Sequence, residues 1–171
     1  VTNNGTINVN KTTAPFEKYD YTYWSSPLKV TTSIATTFPT WRRAYEFHPE
    51  NFIDSDDDGF DDDGNDWIRI SAMTTPGKGC IIMGPTTGTF PRAESVVFRG
   101  TVNNGVVSVP ALLSPGTVDD EDDFNLVGNP YPSAISADAF ILANINAGGT
   151  INQTLSGTLY FWTHKDDASV T

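Results

Sequence analysis

The sequence predicts an all-β protein: an antiparallel β-sandwich, jelly-roll-like, with long loops and one short helix. Short runs rich in β-branched and aromatic residues recur along the 171 residues, and Pro, Gly and Asn punctuate the gaps between them. Almost no stretch of helical period separates these runs, whereas a parallel βαβ sheet would need one in each connection. The dipeptide Asn104-Gly105 lies between two valine-rich runs, and Asn-Gly is a strong hairpin signal because both residues tolerate positive φ.

Taken in order, residues 1–18 are polar and turn-rich and read as an N-terminal arm or linker. Strands are then expected at 21–24, 43–47, 67–71, 80–83, 95–99, 106–109, 124–127 and 158–162, with 95–109 forming the hairpin around Asn103-Asn104-Gly105. The helix is expected from Ser136 to Asn144, where Ser136 is placed to cap the first turn and Phe140 and Ile141 to bury one side. The run Tyr19 to Leu28 and the run Asp123 to Pro132 each pass from an aromatic strand into a small-residue-Pro turn, which suggests a degenerate internal repeat. The expected organisation is a first β unit over 19–113, containing an acidic loop at 54–66, and a second unit over 114–171. The second is not completed within the chain and packs on the first as one domain.

Residues 54–66 read Asp-Ser-Asp-Asp-Asp-Gly-Phe-Asp-Asp-Asp-Gly-Asn-Asp, and Asp54, Asp56, Asp58 and Gly59 fit the D-x-D-x-D-G opening of a calcium loop. Carboxylates at alternate positions followed by a glycine let one short segment wrap a hard cation and offer it oxygens from several directions. The expected ligands are Asp54, Asp56, Asp58, the Phe60 carbonyl, Asp62, Asp63 and Asp66, and the expected cofactor is Ca2+. Asn65 stands where an EF-hand carries its bidentate Glu, and a strand pattern follows instead of a helix, so the loop is not an EF-hand. The competing reading is a solvated acidic linker. A linker needs neither the glycines nor the alternate spacing, which favours calcium.

Of 21 acidic residues, eight lie in 54–66 and five in 119–123, so the net charge of −11 is concentrated and the remaining surface is close to balance. That sign argues against nucleic acid and anionic membranes as partners. No apolar run reaches the eighteen or so residues that a spanning helix needs, which argues against membrane insertion. Cys80 stands alone in an apolar stretch and reads as a small buried hydrophobe. The run Pro76-Gly77-Lys78-Gly79 lacks the phosphate-loop spacing and reads as turn glycines before a strand. His48 and His164 lie far apart, and no nucleophile elbow or other motif with a catalytic mechanism occurs.

Tyr21-Thr22-Tyr23-Trp24-Ser25-Ser26-Pro27, Pro76-Gly77-Lys78-Gly79, Phe124 to Ile135 and Gly157 to His164 together resemble a module of large surface proteins that Bacteroidota export by the type IX system. The acidic run resembles the helix-free calcium loops of thrombospondin type 3 repeats. These resemblances imply an extracellular or cell-surface β module, structural or adhesive, with flanking domains of the same polypeptide, polysaccharide or another surface protein as partners. They supply no catalytic residue, and the expectation is a non-enzymatic protein. A carbohydrate-binding module is the alternative, with Trp41, in a loop beside Arg42 and Arg43, as the exposed stacking residue.

Overall fold

The computed structural model describes residues 5–56, 58, 61–114, 124–145, 155 and 157–161. Eight strands form among them: β1 (Ile7–Thr12), β2 (Tyr21–Trp24), β3 (Thr32–Ser33), β4 (Ala44–Phe47), β5 (Trp67–Arg69), β6 (Ala72–Met73), β7 (Cys80–Met83) and β8 (Ser95–Gly100). All pairings are antiparallel and they are nested: β1 with β8, β2 with β7, β3 with β6, and β4 with β5. That nesting is the connectivity of an eight-stranded jelly roll, in which a long hairpin is folded over on itself. A further pairing of β4 with β7 gives a four-stranded sheet of order β2-β7-β4-β5.

Period-two alternation explains the core. Along β8, Val96 and Phe98 are buried while Ser95, Val97 and Arg99 are exposed; along β7, Cys80 and Ile82 point inward. These side chains meet Trp24, Ala44, Val9 and Met73 from the other strands in one continuous cluster. Its centre is aromatic. Trp24 lies 5.0 Å from Phe38, 5.5 Å from Trp41 and 6.1 Å from Phe98 between ring centroids, mostly edge to face. Phe38 is delivered by α1 (Ile34–Thr37), a single turn whose N-cap Ser33 accepts a hydrogen bond from the Thr36 N–H.

The segment expected as an arm is instead part of the roll. Ile7–Thr12 pairs in register with Ser95–Gly100 and places Val9 in the core. The expected 95–109 hairpin does not form, because β8 takes β1 as its partner and 106–109 is not a strand. Asn103 is drawn inward: its side-chain N–H groups donate to the carbonyls of Leu28 (3.1 Å) and Pro130 (2.9 Å), satisfying two buried acceptors. Residues 124–127 and 158–161 are likewise not strands, apart from an isolated bridge between Lys78 and Val127.

Residues 124–130 dock on the roll through backbone contacts. Gly79 N–H donates to Leu126 O and Gly128 N–H to Gly77 O, both at 2.9 Å. The approach is so close that a side chain at Gly128 would begin 2.3 Å from Ser25 Cβ. The helix α2 (Ala137–Asn144) forms where expected, with Ser136 Oγ accepting from the Ala139 N–H at 3.2 Å, but Phe140 and Ile141 are only half-buried. Among the described residues no helix is long and apolar enough to cross a membrane.

Candidate metal centre

The acidic run lies in the connection between β4 and β5, neighbours in the four-stranded sheet, so both ends of the loop are held by one antiparallel pair. Below the loop, a short 3-10 turn at Pro49–Asn51 leads the chain out of β4. The His48 N–H donates to Asp66 O at 2.8 Å and the Asn51 side chain donates to Asn65 O at 3.3 Å, which ties the exit of the loop to its entrance. Higher up, Asp62 N–H donates to Ile53 O, Ile53 N–H to Asp61 Oδ1 and Ser55 N–H to Asp62 Oδ2, at 2.8, 3.1 and 2.8 Å. The loop is therefore folded back on itself.

At its tip Asp54, Asp56 and Asp58 each present a carboxylate oxygen, and these three oxygens lie within 4.8 Å of one another. Two oxygens that share one calcium at about 2.3–2.6 Å can stand no more than about 5 Å apart, so the spacing suits a single shared ion of that size. Asp58 N–H also donates to Asp54 Oδ1 at 3.2 Å. The charge on Asp58 holds the Asp56 carboxyl above the usual carboxylate range, with slight burial and the charges of Asp62 and Asp54 acting in the same direction. A cation at this point would relieve that repulsion.

The other expected ligands are not gathered at the tip. Phe60 and Gly59 lie outside the described residues. Asp62 caps Ser55, and Asp63 accepts from the backbone and side chain of Asn65 at 3.3 and 2.6 Å. Asp66 is buried at the loop base, where burial, and then the charge of Asp61, push its carboxyl up against the N–H groups of Trp67 and Asp66 itself. Asp61 was not expected to take part. One of its oxygens receives Ile53 N–H, and the other is buried without a hydrogen-bond partner among the described residues.

Beneath the loop Glu46 occupies an inward-facing position on β4, and a buried carboxylate requires a partner. Lys78 Nζ supplies it at 3.5 Å, and His48 bridges Lys78 at 3.4 Å to Glu50 at 2.9 Å. Burial pushes the Glu50 carboxyl up, but the hydrogen bonds from His48 and its own N–H, with the charges of His48 and Lys78, outweigh it and hold the group below its ordinary value. Cys80, on the neighbouring strand, is buried, and that burial, with Glu46 adding to it, pushes its thiol up to about 12.

Trp41 is a correction. It follows α1 in a loop, as the sequence suggests, but its ring turns inward against Phe16 at 5.9 Å, Trp24 at 5.5 Å and Phe38 at 5.3 Å, leaving it 9% exposed. Burial of so large an aromatic surface is favourable and leaves Arg42 and Arg43 exposed to solvent, and Trp41 presents no platform to a sugar. His164 and the acids at 119–123 lie outside the described residues.

Across residues 1–171 the chain matches a family model described as a domain of unknown function, DUF8693. No curated protein and no solved structure matches it.

Proposed function

The chain belongs to the DUF8693 family, and we propose that it is a calcium-stabilised jelly-roll module of a secreted surface protein, structural or adhesive and without catalytic activity. The observation that carries this reading is the convergence of Asp54, Asp56 and Asp58 within 4.8 Å at the tip of a loop hydrogen-bonded to itself. Ion binding would fix the connection between β4 and β5 and so stiffen one side of the sheet. A loop of this kind in an extracellular module binds calcium with a dissociation constant of about 0.1–1 mM, which suits calcium levels outside cells. The extracellular setting is part of the proposal and rests on the resemblance to exported surface modules.

Calorimetric melts in calcium, magnesium and chelator test the reading. At about a hundred times the dissociation constant, calcium stabilises the fold by about 2.7 kcal/mol. For a domain of this size that raises the transition by roughly 5–10 °C. Magnesium, which keeps its waters and prefers a rigid octahedron, should do much less, and Asp56→Ala with Asp58→Ala should remove the calcium response. Three superimposed curves, or a double variant that still responds, would make 54–66 a solvated acidic loop.

A further inference from the structure

The outward face of the four-stranded sheet carries a second feature, chemically opposite to the acidic loop. Because Ala44, Glu46, Cys80, Ile82 and Trp24 point into the core, their alternates point out. Register aligns Tyr23 with Ile81, Ile81 with Tyr45 and Tyr45 with Arg69, so one row crosses all four strands. At about 4.8 Å per strand spacing that row is roughly 14 Å long. On one side of it Tyr21 lies opposite Met83, which donates its N–H to Arg43 O; on the other, Phe47 and Trp67 pack at 5.2 Å between ring centroids.

At one end of this face a cleft of about 570 Å³ is lined by Tyr19, Arg42, Arg43, Arg69, Met83 and Thr86. Three of the chain's ten basic residues therefore converge on one opening, in a protein of net charge −11, with no acid in the lining. Arg42 is steadied by hydrogen bonds from Nε and Nη2 to Thr86 Oγ1 at 3.3 and 3.1 Å, and Lys18 sits over the Tyr19 ring at 5.0 Å. Arg43 and Arg69 are exposed, and none of the ion pairs among the described residues uses any of the three arginines.

We infer that this face binds an acidic polysaccharide whose sugars carry carboxylates, that is, a uronate polymer. Guanidinium groups match planar carboxylates in paired hydrogen bonds, and aromatic rings give pyranose faces a surface to stack on. A row of roughly 14 Å suits a short stretch of polymer better than one sugar. Duplex DNA, with one charge per about 1.7 Å, would meet strong repulsion from the rest of this chain, whereas a polymer with one carboxylate per sugar carries its charges further apart. The site uses residues separate from the acidic loop and stands whether or not that loop holds calcium.

Affinity electrophoresis through polygalacturonate, run in chelator, tests the inference against dextran gels, free galacturonic acid as competitor, and duplex DNA. Polygalacturonate should retard the protein, dextran should not, and the monomer should compete only at far higher concentration. Arg43→Ala with Arg69→Ala should weaken binding by about tenfold or more, because charge-assisted hydrogen bonds are lost. Arg43→Lys with Arg69→Lys should fall between, and Tyr23→Ala should lose several-fold. All of these positions are exposed or half-exposed, so a melting point within a few degrees of the parent shows that the fold is intact. Absence of retardation, equal retardation by dextran, tighter binding of DNA, or an unaffected Ala variant would each overturn the inference. So would retardation that appears only when calcium replaces the chelator and vanishes in Asp56→Ala, since the polymer would then be held by the acidic loop.

Discussion

Removing the Phe98 ring probes the sandwich at its centre. Phe98 is fully buried, with Trp24 at 6.1 Å and Phe38 at 5.8 Å between ring centroids, and Val9 stands opposite it on β1. Phe98→Ala leaves a cavity that these rigid neighbours cannot fill, at a cost of about 3–5 kcal/mol. At about 2–4 °C per kcal/mol for a domain of this size, the melting point should fall by roughly 6–20 °C. The informative control is the adjacent residue. Val97 is 47% exposed on the other face of the same strand, so Val97→Ala should move the transition by no more than a few degrees. Circular dichroism melts of both variants at fixed calcium measure the contrast. If Val97→Ala costs as much as Phe98→Ala, β8 is one residue out of register and every inward assignment along it is reversed.

The Asp56 carboxyl, held high chiefly by the charge of Asp58, takes up a proton more readily in the folded than in the unfolded chain. Without metal, its contribution to stability therefore falls as pH rises through the interval just above the usual carboxylate range. In chelator, Asp56→Asn should melt above the parent at neutral pH, the gap should close on acidification through that interval, and saturating calcium should reverse the order. Melts of both proteins at stepped pH would show a gap that does not change with pH if the carboxylates are not crowded. The Cys80 thiol, pushed up to about 12 by burial and by Glu46, should leave only about one thiolate in ten thousand at pH 8. A colorimetric thiol reagent should find no reactive group in the native protein and one in denaturant; rapid native labelling would mean that β7 is not in the core.

Where apolar periodicity was strong, the sequence was readable: β2, β4, β7 and β8 lie where β-branched and aromatic residues alternate, and Ser136 caps α2 as its position implies. β1 was missed because Ile7-Asn8-Val9-Asn10-Lys11-Thr12 holds only two apolar residues, and its strand conformation comes from a partner near residue 100. The Asn-Gly signal misled because Asn103 serves carbonyls at Leu28 and Pro130, a tertiary demand that local turn propensity does not contain. At the acidic loop, the alternate spacing of Asp54, Asp56 and Asp58 matches the one place where three carboxylate oxygens lie within 4.8 Å of one another among the described residues. It did not separate these from Asp62, which accepts from the Ser55 N–H, and Asp63, which accepts from Asn65; neither joins the cluster. The arginine cleft had no sequence signature, since Arg43 and Arg69 are neighbours only through the register of β4 with β5.

The nested pairing also sets an order of assembly. β4 and β5 close the shortest connection, β3 with β6 and β2 with β7 close successively longer ones, and β1 must wait for residues 95–100. Loop-closure entropy favours the innermost pair, and each closure shortens the effective loop for the next. Zipping outward would start at the connection that carries the eight aspartates, and their mutual repulsion would oppose that first step. An ion bound there would act on the refolding rate more than on the unfolding rate, because it would offset part of that repulsion before most of the core exists.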